Sequence, residues 1–248
     1  MSKVILITGA SRGIGRSAAI LAGARGWSVG VNFATNASAA DETVAAVQAA
    51  GGKAIAIQGD VCDEAATIAM FDATEEAFGQ LDGVVNNAGI VAPGSALADM
   101  DVARLKRIFD TNVLGAYLCA REAARRLSRS RGGKGGAIVN VSSAAARLGA
   151  PNEYVDYAGS KGAIDVLTIG LSKELGPQGV RVNAIRPGLI ETEIHASGGK
   201  PDRAQVLGVQ TPLGRAGTAD EVGESIVWLL SDASSYVTGA IVDVTGGR

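Results

Sequence analysis

A glycine-rich turn lies between the first strand pattern and the first helical pattern of this chain. Residues 3–8 are mostly β-branched or Leu, TGASRGIG occupies 8–15, and a helical pattern continues to about Arg25. Gly9, Gly13 and Gly15 leave room for a pyrophosphate to approach the backbone, and the following helix N-terminus offers it free amides. Although an ordinary tight turn is the alternative, the pattern predicts a phosphate-binding loop at the start of an α/β fold.

Strand and helix patterns alternate along the rest of the chain, as expected for a parallel sheet wrapped by helices. Further strands are predicted at 28–33, 54–58, 83–85, 137–141, 180–185 and 240–244. Helices are predicted at 39–50, 64–78, 101–128, 157–175 and 219–230. A hydrophobic content of 47% with only 4% aromatic residues and 34 Gly suits an aliphatic core. We expect one domain over 1–248, a doubly wound, seven-stranded parallel α/β sheet with helices on both faces.

Small and polar residues recur where the predicted strands end. Asn86-Asn87-Ala88-Gly89 follows the fourth strand, Ser142-Ser143 the fifth, and Pro187-Gly188 the sixth. In an open parallel sheet the binding crevice lies outside the carboxyl ends of the strands. These segments should therefore meet the glycine-rich turn at one crevice.

A phenol and an ammonium are spaced one helical turn apart in the fifth predicted helix. Tyr157 and Lys161 stand at i and i+4, so both side chains lie on the same helix face. Tyr154 is a rival phenol, but the residue four positions beyond it is Ala158. A cation near a phenol favours the phenolate, so Lys161 is expected to lower the pKa of Tyr157.

Taken together, these motifs resemble the short-chain dehydrogenase/reductase family over essentially the whole chain, especially its glucose dehydrogenase and 3-oxoacyl-[acyl-carrier-protein] reductase branches. The resemblance implies a Rossmann-type fold and an NAD(P)-dependent oxidoreductase with Tyr157 as general acid/base. It further implies that Lys161 binds the cofactor ribose and that Ser143, or else Ser142, donates to the substrate oxygen. Asn112 is implied to distort the helix at 101–128 and to hold a proton-relaying water.

The resemblance also implies a set of cofactor contacts along the crevice. These are Gly9, Ser11, Arg12, Gly13, Ile14, Gly15, Asn32, Asp60, Val61, Asn87, Ala88, Gly89, Tyr157, Lys161, Pro187, Gly188, Ile190 and Thr192.

The end of the second strand bears on which nicotinamide cofactor binds. An acidic residue there would bind the adenosine 2′-hydroxyl of NAD, but this chain has Asn32, and the next carboxylate is Asp41. Arg12 would attract a 2′-phosphate. We therefore expect NADP, with a solvated Arg12 and acceptance of both NADP and NAD as the alternative.

Overall charge and composition exclude several partner classes. A net charge of −2 and a pI near 5.5 give no field to draw the chain to nucleic acid or an anionic membrane. Cys62 and Cys119 match no metal or redox spacing, and no apolar run approaches membrane-spanning length. We expect no metal, a small-molecule substrate and a cytoplasmic location, and the resemblance adds a homotetramer.

The segment at about 189–217 is expected to be a substrate loop, because it is rich in Gly, Pro and Thr with weak periodicity. It contains His195, the only histidine, which is either a substrate contact or a plain loop residue. A sugar and an oxoacyl thioester both remain open as substrates. Arg147, Arg203 and Arg215 would supply a basic rim for an acidic carrier protein.

Two other functions remain possible from the sequence. One is a non-catalytic NADP(H)-binding sensor, which would have no need of Ser143, Tyr157 and Lys161 together. The other is nucleotide-sugar epimerisation or dehydration, for which 248 residues leave little room for the added substrate domain.

Overall fold

The computed structural model describes residues 2–248, and its centre is a seven-stranded sheet in which every neighbouring pair is parallel. The strand order is β3-β2-β1-β4-β5-β6-β9. The strands are β1 Val4–Ile7, β2 Ser28–Phe33, β3 Lys53–Gln58, β4 Gly83–Asn86, β5 Gly136–Val141, β6 Val180–Pro187 and β9 Ile241–Val244. Two further strands, β7 Ile190–Glu191 and β8 Gly217–Thr218, pair with each other.

Ten α-helices of residues 2–248 connect and cover these strands. They are α1 Gly13–Ala24, α2 Ala37–Ala49, α3 Glu64–Phe78, α4 Val102–Phe109, α5 Ala116–Leu127, α6 Ala145–Leu148, α7 Val155–Leu175, α8 Ile194–Ser197, α9 Arg203–Gly208 and α10 Ala219–Leu230. The predicted doubly wound α/β fold is confirmed. None of these helices has the length and apolarity that crossing a membrane requires.

The sheet separates two apolar layers, because successive side chains of a strand point to opposite faces. Ile5 and Ile7 of β1 pack in the layer under α1, α2 and α10, whereas Leu6 packs in the layer under α3, α5 and α7. All three side chains are fully buried, and each contributes roughly 1.5–3 kcal/mol of transfer free energy. Burial on both faces explains why the strands are nearly continuous apolar runs.

The order of the strands reverses beside β1. Chain connections run outward from β1 through β2 to β3 on one side, and from β4 through β5 and β6 on the other. The connections leaving β1 and β4 therefore diverge, which opens a crevice at their carboxyl ends. The glycine-rich turn and the segment after Asn86 both lie at this crevice.

Two segments differ from the elements expected from sequence. The helix predicted at 101–128 is divided into α4 and α5 by a π-helical turn, Asp110–Gly115. This turn contains Asn112, the residue for which the family resemblance implied a distortion of the helix. The expected loop at 189–217 contains α8, α9 and the pair β7–β8. We refer to residues 193–210 as the lid, because they cover one end of the crevice.

Candidate active site

The glycine-rich turn is tied to the segment after β4 by a compact set of hydrogen bonds. Thr8 Oγ1 accepts from the backbone amides of Asn87 and Ala88, both at 2.9 Å. Asn87 Nδ2 donates to the carbonyls of Thr8 and Gly9 at 2.8 and 3.0 Å. The side chain of Asn87 thus holds the two loops together, a role that the sequence motif alone does not reveal.

Glycine is required at two positions of this turn for different reasons. Gly9 has a φ of +61°, in the region that favours glycine. A Cβ on Gly15 would lie 2.6 Å from Asn87 Nδ2 and 2.7 Å from the Gly9 carbonyl. Gly15 therefore lets the start of α1 pack closely against the segment after β4, which places the N-terminal amides of α1 beside the cleft. This cradle fits the pyrophosphate of a dinucleotide.

Asn32 lies at the cleft, but its amide is engaged by the protein itself. Its Oδ1 accepts from the Gly9 amide at 3.1 Å, and its Nδ2 donates to the Gly59 carbonyl at 3.0 Å. The side chain is buried, so Asn32 supports the glycine-rich turn from below.

The rim of the cleft beyond β2 contains two polar residues that the sequence reasoning missed. Thr35 and Asn36 line the cleft with Arg12 and Asp60. Asn36 caps α2, with its Oδ1 accepting from the Ala39 amide. A polar residue just before a helical pattern was the signal that could have located this cap. The Arg12 side chain is exposed and forms no ion pair within residues 2–248.

Helix α7 carries Tyr157 and Lys161 into the centre of the cleft. Lys161 Nζ lies 5.7 Å from the centroid of the Tyr157 ring and donates to the Val141 carbonyl at 2.8 Å. Burial lowers the pKa of Lys161 to about 8, although the negative charge of Asp165 opposes that shift. The ammonium is thus held between the fifth strand and the phenol.

The pKa of Tyr157 shifts in the direction opposite to the sequence expectation. Burial raises the pKa of Tyr157, and the hydrogen bond with Ser143 offsets only part of that rise. The Lys161 ammonium, 5.7 Å from the ring centroid and donating to the Val141 carbonyl, does not reverse this rise. The phenol therefore stays protonated at neutral pH.

The two serines after β5 have different surroundings. Ser142 Oγ donates to the Lys161 carbonyl at 3.1 Å, which commits it to the backbone of α7. Ser143 acts to lower the pKa of the Tyr157 phenol, and its Oγ accepts from the Ala145 amide at 3.1 Å. Of the two serines, only Ser143 acts on the phenol.

Asn112 sits in the π-helical turn and bonds to two other parts of the site. Its Oδ1 accepts from the Ile90 amide at 2.8 Å, and its Nδ2 donates to the Ile90 carbonyl at 2.9 Å and to Ser160 Oγ at 3.1 Å. Ser160 in turn donates to the Tyr157 carbonyl at 2.7 Å. The side chain of Asn112 thus couples α7 to the segment after β4, a coupling through Ser160 that the sequence reasoning missed.

The loop after β6 completes the wall opposite Tyr157. Pro187, Gly188, Ile190 and Thr192 line the cleft, and a Cβ on Gly188 would lie 2.8 Å from Thr245 Cα. Val61, Ile14, Ser11 and Gly89 line it as well. The residues expected to contact the cofactor border one cleft of about 770 Å³, with the exception of Gly15, which lies behind the glycine-rich turn.

Ion pairs between Glu153 and the lid close the far end of the cleft. Glu153 accepts from Lys200 and Arg203 of the lid, each at 2.7 Å. Ala150 and Asn152 precede it with φ values of +44° and +58°, which are uncommon for residues other than glycine. The pairing with Arg203, more than that with Lys200, lowers the pKa of Glu153 to about 2.

The arginines expected to form a basic rim are all near carboxylates. Arg203 is bidentate to Glu153, and Arg215 is bidentate to Glu221. Arg147 lies 3.7 Å from Asp243. The rim therefore offers little uncompensated positive charge. Residues 2–248 also hold no cluster of His, Cys, Asp or Glu arranged to bind a metal ion.

Known proteins resemble this chain over nearly its whole length. A family model described as enoyl-(acyl carrier protein) reductase matches residues 9–248. An uncharacterized oxidoreductase of Escherichia coli (strain K12), YgfF, is 51% identical, with 99% of each chain covered. The L-rhamnose 1-dehydrogenase (NAD(P)(+)) of Sphingomonas sp. (strain SKA58) is 40% identical over 99% of this chain and 95% of that protein. A crystal structure of a short-chain type dehydrogenase/reductase from Mycobacterium marinum matches with a TM-score of 0.91 at 36% identity, covering 99% of this chain and 94% of the other.

Proposed function

Since this chain belongs to the short-chain dehydrogenase/reductase family, we propose that it is an NADP(H)-preferring oxidoreductase that interconverts a carbonyl and a secondary alcohol. One observation carries the proposal. Tyr157, Ser143 and the buried Lys161 line the same cleft as the glycine-rich turn. A cofactor cradle and a proton donor in one cleft are what a carbonyl reduction requires.

The chemistry divides between the cofactor and the side chains. When bound, the nicotinamide supplies or accepts the hydrogen that moves with both bonding electrons at the reacting carbon. Tyr157 Oη gives its proton to the carbonyl oxygen in reduction and takes the hydroxyl proton back in oxidation. The raised pKa of Tyr157 keeps this proton in place at neutral pH. Ser143 Oγ donates a hydrogen bond to the same oxygen and stabilises its developing charge.

Lys161 and Asn112 act behind the phenol. Lys161 places a positive charge beside Tyr157 and would bind the ribose of the cofactor, since its ammonium has hydrogens beyond the one donated to Val141. Asn112 fixes the π-helical turn through Ile90 and Ser160. The turn would hold a water molecule that relays a proton from solvent to Tyr157 after the phenol has given up its own.

The adenosine end supports NADP over NAD. The side chain of Asn32 faces away into backbone bonds, so a 2′-phosphate meets no carboxylate from β2. Arg12 is the exposed cation at this rim, with Thr35 and Asn36 beside it. The alternative is that Arg12 stays solvated and that NAD serves as well.

Steady-state turnover tests the reductase itself. We expect NADPH or NADH oxidation with at least one member of a panel of ketones, aldehydes, lactones and oxoacyl thioesters, or NADP reduction with sugars. Tyr157→Phe should lose most turnover and keep cofactor affinity, whereas Tyr236→Phe, which alters a fully exposed phenol, serves as the matched control. Tight cofactor binding without turnover of any substrate would favour a non-catalytic sensor.

Arg12→Ala tests the cofactor preference. A hydrogen bond to a charged group is worth about 1.5–3 kcal/mol, so the variant should lose roughly 10- to 150-fold in kcat/KM with NADPH. Activity with NADH should stay near that of the wild type. An equal loss with both cofactors would contradict a 2′-phosphate contact.

Exposed apolar side chains support a homotetramer. Val166 and Ile169 of α7, and Phe109, Leu114 and Tyr117 of the α4–α5 segment, are all more than 40% exposed. Light scattering should give four times the 25.0 kDa mass of one chain, and a monomer mass would exclude this assembly.

The free thiols of Cys62 and Cys119 support a reducing, cytoplasmic location. Subcellular fractionation checks it, and recovery in an oxidising compartment would contradict the proposal.

A further inference from the structure

A second phenol lies in the cleft three residues before Tyr157. Tyr154 is only 7% exposed, and it lines the cleft at the end closed by the lid. The Tyr154 hydroxyl has no hydrogen-bond partner among residues 2–248. It is also accessible, because among these residues Asp165 Oδ1 is the only fully buried side-chain oxygen or nitrogen that lacks a partner. Tyr154 therefore presents a free O–H to the open space of the cleft.

The ring of Tyr154 is held in place from the lid side. The Arg203 guanidinium lies 5.2 Å from the ring centroid, and the same group is bidentate to Glu153. These contacts fix the direction of the phenol, so its hydroxyl is pre-organised and loses little freedom when a ligand binds.

His195 lines the same end of the cleft, and its ring carries a hydrogen-bond acceptor. Its Nε2 lies 2.8 Å from the Ile190 carbonyl. Because a carbonyl only accepts, Nε2 carries the hydrogen and Nδ1 is the acceptor of the neutral ring. Burial lowers the pKa of His195, so the ring is neutral at pH 7. Nδ1 has no partner within the described chain.

Gly198 connects the two residues. A Cβ on Gly198 would lie 3.3 Å from Tyr154 Oη and 3.4 Å from the His195 carbonyl. The phenol therefore reaches the same lid turn that carries the imidazole. Tyr154 and His195, each of which has an unpartnered polar group within the described chain, thus both line the substrate end of one cleft.

The charges around these groups favour a neutral ligand. Glu153 is neutralised by Lys200 and Arg203, and Arg203 has both of its terminal nitrogens on that carboxylate. An anionic substrate would have to displace Glu153 to reach Arg203. A hydroxyl group has no such competitor, since it can donate to an imidazole nitrogen and accept from a phenol.

We propose that Tyr154 and His195 form a hydroxyl-recognising subsite, and that the substrate is a compact, neutral, polyhydroxylated carbonyl compound or the corresponding alcohol. The inference rests on the proposed function and selects the sugar-like class over the acyl thioester. The acidic carrier of an acyl thioester would find the arginines of the rim beside carboxylates.

Substrates with and without extra hydroxyls test the subsite in Tyr154→Phe. The probes are D-glucose and L-rhamnose, their monodeoxy analogues, and cyclohexanol as an alcohol with no second hydroxyl. Loss of one neutral hydrogen bond should lower kcat/KM for a sugar by about 2- to 12-fold, and cyclohexanol should be unaffected. For one deoxy analogue the wild type and Tyr154→Phe should be equal, because the contact is already missing.

His195→Gln gives the second variant, since its amide can donate to the Ile190 carbonyl in place of Nε2 while the Nδ1 acceptor is lost. We expect His195→Gln to lose kcat/KM on sugars but not on cyclohexanol, and to equal the wild type on a different deoxy analogue from the one that identifies the Tyr154 contact. Equal losses on sugars and cyclohexanol would indicate a structural role and overturn the subsite. Turnover of ketones or thioesters but of no sugar would overturn the substrate class and leave the proposed reductase standing. No turnover of any substrate by the wild type would remove the proposed function and the subsite together.

Discussion

A buried ion pair anchors the start of α7, the helix that carries Tyr157, and its removal gives a sharp prediction. Arg104 on α4 donates to both carboxylate oxygens of Asp156, from Nε at 2.8 Å and from Nη2 at 3.2 Å. The two side chains are 13% and 1% exposed. Arg104 Nη1 also donates to the Pro93 carbonyl at 2.5 Å. Asp156 immediately precedes Tyr157, so the pair fixes the phenol's backbone.

The magnitude follows from the burial of this pair. Removing one partner leaves an uncompensated buried charge, so Arg104→Leu should lower the free energy of unfolding by about 3–5 kcal/mol. Replacing both partners removes that penalty. The double variant Arg104→Leu with Asp156→Leu should therefore recover most of the loss.

Urea denaturation, followed by tryptophan fluorescence to which the buried Trp27 contributes, measures both variants. A loss below about 1 kcal/mol in Arg104→Leu would refute the reasoning, because that is the range of solvent-exposed pairs. A double variant as unstable as the single one would also refute it, since the cost would then be lost packing rather than an unpaired charge.

The same pair predicts a pH dependence. Burial acts to raise the pKa of Asp156, but hydrogen bonds from Arg104 and the Tyr157 amide outweigh it and lower the pKa. A lowered carboxyl pKa stabilises the fold above the unfolded-state value of about 3.9, and this stabilisation is lost as the pH falls through the folded value. The acid limb of the stability curve should be flatter in the double variant.

Three further predictions concern the cradle, the lid and Lys161. Gly15→Ala should weaken cofactor binding by at least tenfold in a fluorescence titration, because its Cβ meets Asn87 and the Gly9 carbonyl, whereas Gly176→Ala, in open space, should bind normally. Glu153→Gln removes the charge that holds two lid cations, so trypsin should cleave the lid several-fold faster than in the wild type; an unchanged rate would mean that packing alone keeps the lid closed. Asp165→Asn removes the negative charge that favours the ammonium form of Lys161, whose pKa is about 8, so the alkaline limb of the pH–rate profile should move to lower pH. An unmoved limb would mean that Asp165 does not affect the titration of Lys161.

Much of the fold could be predicted because both periodicities are strong in this chain. The helix at 64–78 has its predicted bounds, since Asp63 accepts from the Ala66 amide and Gly79 ends it. The helix at 219–230 also has its predicted bounds, with a capping box at Thr218. Local hydrogen bonds decide such ends, and local sequence therefore suffices.

The lid and the interrupted helix could not be predicted in the same way. Asn112 is a weak helix former, but the π-helical turn depends on its bonds to Ile90 and Ser160, which are 22 and 48 residues away. Helices α8 and α9 are short and gain little from their own backbone bonds. Arg203 of α9 contacts Glu153 and Tyr154, and His195 of α8 contacts the Ile190 carbonyl. The sequence pattern does not contain those contacts.

The sequence by itself determined the family, the parallel sheet and the likeness of Tyr157 and Lys161 to a catalytic pair, because these depend on residue type at short spacing. Only the tertiary structure decided what each polar group does. It turns Asn32 and Asn87 inward as supports, raises the pKa of Tyr157, and gives Tyr154 an open cleft to face. The physical reason is that segments far apart in the chain set the burial and the hydrogen-bond partners of each polar side chain. Burial and partners in turn decide the protonation state and the orientation of that side chain.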